Sequence, residues 1–163
     1  MNAHFGRVMQ GNITQISRQK TAVPDAGDLA HRLRMAGLRP TRQRLAIAAL
    51  LLDGRHRHVT ADSLAEEILA SGVRVAGATV YNVLNQFTAA GLLRRVMVRN
   101  DYSLFDTNTA HHHHFYRPDT DQLTDIPVGD VVLSRLPAAP DGAEIASVDV
   151  VVHLSPKPTS GNL

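Results

Sequence analysis

Cysteine is absent from the 163 residues, and so is tryptophan. Without a thiol there is no disulfide, no Cys-bound zinc, no iron–sulfur cluster, no thiolate-ligated haem and no cysteine nucleophile. No apolar run approaches the ~20 residues that cross a bilayer. The N-terminus lacks the apolar segment of a signal peptide, so a cytoplasmic protein with no membrane partner is expected. Also missing are His-Glu-x-x-His, Gly-x-Ser-x-Gly and a phosphate-binding glycine loop. With the acidic residues of the C-terminal part scattered singly, an enzyme is not expected.

What is present is enough apolar material, 44% of residues, for one domain or two small ones. The net charge of +2 hides an asymmetry. Residues 1–100 hold fourteen Lys/Arg against six Asp/Glu, a net +8, and residues 101–163 hold three against nine, a net −6. A basic module meets a polyanion. The acidic part holds five of the nine histidines, four of them consecutive, and is suited to cations.

Residues 1–24 read as a flexible arm carrying Arg7, Arg18 and Lys20. Asp28 is placed to cap a short helix through Met35, ended by Gly37. A second helix opens at Pro40 or Thr41, with Leu45, Ala48, Ala49 and Leu52 at helical spacing. Thr60 caps a third, which buries Leu64 and Ile68 and stops at Gly72. A fourth runs from Gly77 to Ala90. Strands Leu93–Val98 and Tyr102–Asp106 follow, joined at Arg99-Asn100-Asp101. This order predicts an α+β protein: an N-terminal winged helix-turn-helix over residues 25–107, then a small α/β dimerisation and sensing domain over 108–163. The second unit is expected to hold strands at His112–Tyr116 and Gln122–Ile126, a short helix at Gly129–Ser134 and a long strand at Ile145–Leu154. At about 50 residues it falls below the size that usually folds alone, so a homodimer is expected.

In the fourth helix Val80, Val83, Leu84 and Phe87 share one face, which packs inside. The opposite face carries Ala78, Tyr81, Asn82 and Asn85, with Thr79 and Gln86 at its edge. Amides pair bidentately with adenine, and small apolar groups touch a thymine methyl, so this face suits the major groove. Arg94, Arg95 and Arg99 on the wing, and Arg39, Arg42 and Arg44 near the second helix, are placed for phosphates. Double-stranded promoter DNA is the expected partner.

His111 to His114 fall in a stretch read as strand, so His111 and His113 face one way and His112 and His114 the other. The run offers two pairs, not one four-ligand cage. Imidazole suits zinc, iron, manganese or haem iron. His58 and Asp106 lie near the junction of the halves. A site joining His58 to His113 would fix the angle between them and so switch DNA binding.

The runs Ala-Gly-Leu-Arg-Pro-Thr-Arg-Gln-Arg (36–44), His-Val-Thr-Ala-Asp (58–62), Ala-Thr-Val-Tyr-Asn-Val-Leu-Asn-Gln-Phe (78–87) and Ala-Gly-Leu-Leu (90–93) resemble the ferric uptake regulator family. Arg-Pro-Thr-Arg-Gln-Arg, and Phe-Asp-Thr-Asn (105–108) before consecutive histidines and Phe115, look most like its iron response regulator subfamily in alphaproteobacteria. Many family members have Arg after the recognition-helix Tyr; here it is Asn82. The resemblance implies a homodimeric winged-helix regulator with a hinge metal site at His58, Asp106 and His113, for manganese, iron or zinc. A further histidine of that site falls at Phe115. A second site matches His112 and His114. Its distal ligands fall at Ser147 and near Val132, with Asp125 as a substitute from the next strand. The subfamily further implies haem held by His112, His113 and His114, DNA binding under iron limitation, loss of affinity when haem binds, and a haem-delivering enzyme as a partner. The alternative is a repressor that needs a divalent metal at the hinge to bind DNA.

Overall fold

In the computed structural model, which describes residues 24–99 and 102–156, helix α1 spans Ala26–Met35. Its cap is Asp25 rather than Asp28, whose own N–H donates to the Asp25 carboxylate at 2.8 Å. Asp28 instead supplies negative charge to the first turn, where it meets the positive end of the helix dipole. Gly37 closes the helix at φ 75°, a conformation that costs other residues strain.

Helix α2 spans Arg42–Leu51 and is capped by Thr41. It buries Ile47, Ala48 and Leu51, Leu52 at its C-cap is buried too, and Leu45 is half-buried against the same core, so of the expected set only Ala49 is exposed. Strand β1 (His58–Val59) leads into α3 (Ala61–Ala70). Thr60 and Ser63 cap α3 reciprocally, each side chain accepting the other's N–H. Helix α4 runs Gly77–Ala89 and buries Val80, Val83, Leu84 and Phe87. These pack with Leu33, Ile47, Leu64 and Phe105 in the main core.

Strands β2 (Arg94–Arg99) and β3 (Tyr102–Asp106) form the wing. Strand β1 pairs with the other edge of β3, giving the sheet order β1-β3-β2. The register sets His58 opposite Asp106 on one side and Arg94 opposite Asp106 on the other. The second sheet has the order β5-β4-β6. Strands β4 (His113–Arg117) and β5 (Gln122–Ile126) are antiparallel, with His114 opposite Asp125. Strand β6 (Val151–His153) lies parallel to β4.

Two expectations for the second unit are corrected. The helix at Gly129–Ser134 is a single 3-10 turn, Val128–Asp130. The strand Ile145–Leu154 shrinks to β6, because only this stretch reaches a hydrogen-bonding edge. β-branched composition alone supplies no ladder partner. The sheets meet through Val96, Val98, Leu104 and Tyr116. The Tyr116 hydroxyl donates to Asp121 at 2.6 Å, and burial, with that carboxylate, pushes its pKa up to about 12. The N-terminal arm with Arg7, Arg18 and Lys20, and the turn residues Asn100 and Asp101, lie outside the described residues.

Candidate metal centre and nucleic-acid interface

Asp106 ends β3 with 0% of its surface exposed. Its Oδ1 accepts the Asn108 N–H at 2.7 Å, which leaves Oδ2 aimed into the junction between the sheets. His58 reaches the same point from β1, His112 and His114 from the histidine run, and Asp125 from β5. One oxygen of Asp125 accepts from the Asn108 amide at 3.1 Å. The other lies 3.0 Å from His58 Nε2. His112 Nε2 is 3.0 Å, and His114 Nε2 3.5 Å, from Asp106 Oδ2.

Five buried atoms converge here without a hydrogen-bond partner: Nε2 of His58, His112 and His114, Oδ2 of Asp106 and Oδ1 of Asp125. Leaving one such atom unpaired costs about 1–3 kcal/mol, so five in one place need a shared partner. Ligand atoms of His58, Asp106, His112 and His114 all lie within 4.8 Å of one another. Donors across a first-row cation, each bonded at about 2.1 Å, lie about 4 Å apart. The set fits one divalent cation.

Protonation states agree with this. Burial lowers the His58 pKa despite the pull of Asp106 and Asp125, favouring the neutral ring that ligates. Burial alone would raise the Asp106 carboxyl. The nearby His114 ring and the bond from the Asn108 N–H, with His58 and His112 close by, outweigh it and hold the group below its usual value. His112 Nδ1 lies 2.8 Å from the Ala110 carbonyl. A carbonyl only accepts, so Nδ1 carries the proton and Nε2 keeps its lone pair.

His113 is not part of this cluster. It faces the other way, and its Nδ1 accepts the Val150 N–H at 3.3 Å. It stacks edge-on with His111, the ring centroids 5.2 Å apart. The alternation of the run is as expected, but its phase against Asp106 is shifted by one. His112 and His114 take the hinge positions, and His111 and His113 take the other face. Phe115 shares the His113 face, so it does not interrupt the hinge set. Asp125 lies beside this cluster, because the β4–β5 register sets it opposite His114. Ser147 and Val132 are exposed, and neither belongs to the cluster.

On α4, Tyr81 is 43% exposed and meets the Phe105 ring edge-on at 6.4 Å. Asn82 is exposed beside it, and Asn85 and Thr79 are half-buried. Arg44 donates to the Gln86 side chain and to the Arg39 carbonyl, tying the start of α2 to α4. Arg42 is exposed at the start of α2, and Arg95 on the wing, where it donates to Ser103 Oγ at 2.9 Å. Arg94 differs from the expected phosphate ligand. Its guanidinium donates to the Ala110 carbonyl at 2.8 Å and pairs with Asp149. It sits at the root of the wing, where the neighbouring loop engages it. Among the described residues no helix is long and apolar enough to cross a membrane.

Residues 35–153 match the model of the Ferric uptake regulator family. The chain belongs to this family. It is similar to the Ferric uptake regulation protein of Legionella pneumophila, 37% identical over 84 residues, 52% of this chain and 62% of that one. Against the Shigella flexneri protein of the same name it is 40% identical over 81 residues, 50% of this chain and 55% of that one. The chain thus spans little more than half the length of these relatives. The structure of Ferric uptake regulator from Pseudomonas aeruginosa with manganese superposes at a TM-score of 0.59 and 28% identity. That match covers 78% of this chain and 97% of that one. The Vibrio cholerae ferric uptake regulator has a TM-score of 0.61 at 24% identity, covers 77% and 98%, and shares the fold.

Proposed function

We propose that this Fur-family chain is a divalent-cation-dependent transcriptional regulator of iron homeostasis, acting in the cytoplasm and not as an enzyme. The convergence of five unpaired buried donors from both sheets carries this reading. His58 and Asp106 belong to the winged-helix part, which we divide from the second part after residue 107. His112, His114 and Asp125 belong to the second part. A cation held by all five would supply a fixed link between the two. The Pseudomonas aeruginosa relative was solved with manganese, which supports a cation of that class, as do iron and zinc by donor chemistry.

With the hinge fixed, α4 and the wing of each protomer are held at a set spacing. Tyr81, Asn82, Asn85 and Thr79 then face base edges, and Arg42 and Arg95 face phosphates. The proposed partner in assembly is a second copy. Apolar side chains on the segment after β5, such as Val132 at 87% exposure, lie uncovered and support it.

The iron-response alternative has haem bind the run and release DNA. The burial of His112 and His114 weighs against it, since a porphyrin reaching their Nε2 atoms must first part the two sheets. The two readings predict opposite signs. In a gel shift on AT-rich promoter DNA, Mn²⁺ or Fe²⁺ is expected to raise affinity, in a salt-sensitive manner. Tight binding without added metal that haem alone abolishes would overturn the cation reading in favour of the haem one.

A further inference from the structure

Arg94 occupies a position whose chemistry the proposed function does not use. It begins β2, directly opposite the hinge residue Asp106 in the β2–β3 register. Its Nη1 donates to the Ala110 carbonyl at 2.8 Å and lies 3.5 Å from His112 Nδ1. That same carbonyl accepts the His112 Nδ1 proton at 2.8 Å. Its Nη2 pairs with Asp149. The next residue, Val150, grips the histidine strand twice: its N–H donates to His113 Nδ1 at 3.3 Å, and its carbonyl accepts the His114 N–H at 3.0 Å.

We infer that Arg94 is a positioning residue for the hinge, not a phosphate ligand. Its planar fork clamps two groups at once. Through Ala110 it fixes the loop whose carbonyl holds His112 in the Nδ1–H form, with Nε2 free for a cation. Through Asp149 it holds the segment that clasps His113 and His114 from behind. Because Arg94 is part of β2, the root of the wing is joined to the metal ligands through these contacts. Cation binding and wing placement are thereby coupled.

This inference rests on the cation reading above. The test uses the full chain, Mn²⁺ titration calorimetry, the Co²⁺ absorption spectrum, and DNA affinity against salt at saturating Mn²⁺. R94Q is expected to weaken Mn²⁺ binding about tenfold and to alter the Co²⁺ bands, the usual scale for a residue that orients a ligand. D149N is expected to do the same to a smaller extent. The R94Q/D149N pair should be no weaker than R94Q alone, since both break one clamp. The salt slope of R94Q should match wild type, while R95Q lowers it by about one. Unchanged Mn²⁺ affinity and Co²⁺ bands in R94Q, or a salt slope reduced as in R95Q, overturns the inference. Should R94Q fail to fold, D149N carries the spectral test by itself. Wild type that binds neither Mn²⁺ nor Co²⁺ overturns the cation reading and this inference with it, whereas wild type and R94Q binding equally overturns only the latter.

Discussion

His112 and His114 turn their Nε2 atoms toward Asp106, with Asp125 beside them, whereas His111 and His113 lie on the opposite face of the same run. All four are chemically identical and adjacent. Strand alternation divides them into pairs, but it does not say which pair does what. The faces differ in what lies opposite. One meets two carboxylates and a third imidazole, at an enclosed junction between sheets. The other meets the Val150 amide, which occupies a His113 nitrogen with an ordinary hydrogen bond. A ligand is made by its surroundings, and a shift of one residue exchanges the two roles.

The sharpest way to break this comparison is to delete one pair at a time. His112→Ala with His114→Ala is expected to lower Mn²⁺ affinity by more than about 100-fold, beyond the usual loss for a supporting residue. His111→Ala with His113→Ala should change it by less than about threefold. Titration calorimetry measures both, and the reverse ranking would move the site to the other face.

Thermal melts give the same contrast on a smaller scale. At a cation concentration 100 times the dissociation constant, binding to the folded state alone adds about 2.7 kcal/mol. Wild type and the His111/His113 variant should show the rise in melting temperature, and the His112/His114 variant should not. A rise in all three would place the cation elsewhere.

His113→Ala is expected to cost about 1 kcal/mol in urea unfolding without cation, from the lost Val150 bond, and to leave cation affinity alone. A cation affinity that falls with it would mean the two faces are not independent.

The smallest effect belongs to Glu67→Gln, on α3 and away from both faces. Arg57 donates to this carboxylate and, more than any other cause, holds its pKa below the ordinary 4.5. A lowered carboxyl pKa contributes stability above the unfolded value, lost as pH falls through the folded one. The half-exposed pair is worth less than about 1 kcal/mol at neutral pH. The gap between variant and wild type should close below about pH 4. A gap that persists in acid would assign the effect to packing instead.

Much of the winged-helix part was legible before the coordinates. Val80, Val83, Leu84 and Phe87 follow the helical repeat, and Thr60 carries its capping partner three residues on, so local chemistry and burial agree. The second part was less legible. Ile145–Leu154 reads as strand throughout, yet pairing is a property of two segments, and only Val151–His153 finds an edge. The candidate metal centre lay between these extremes. Its residue types and alternation were visible, but its phase was not.

By itself the sequence determined where α3 and α4 start and stop, which face of α4 is inside, that sensing cannot run through thiols, and that the histidines divide into two pairs. Such features depend on residues near one another in the chain, where side-chain chemistry acts over one turn or one pleat. The tertiary structure decided that His112 and His114 join Asp106, that Asp125 completes the set, and that Arg94 turns to Ala110 and Asp149. Each of these is a meeting of distant segments, set by sheet register and by the packing of one sheet against the other, which no local pattern encodes.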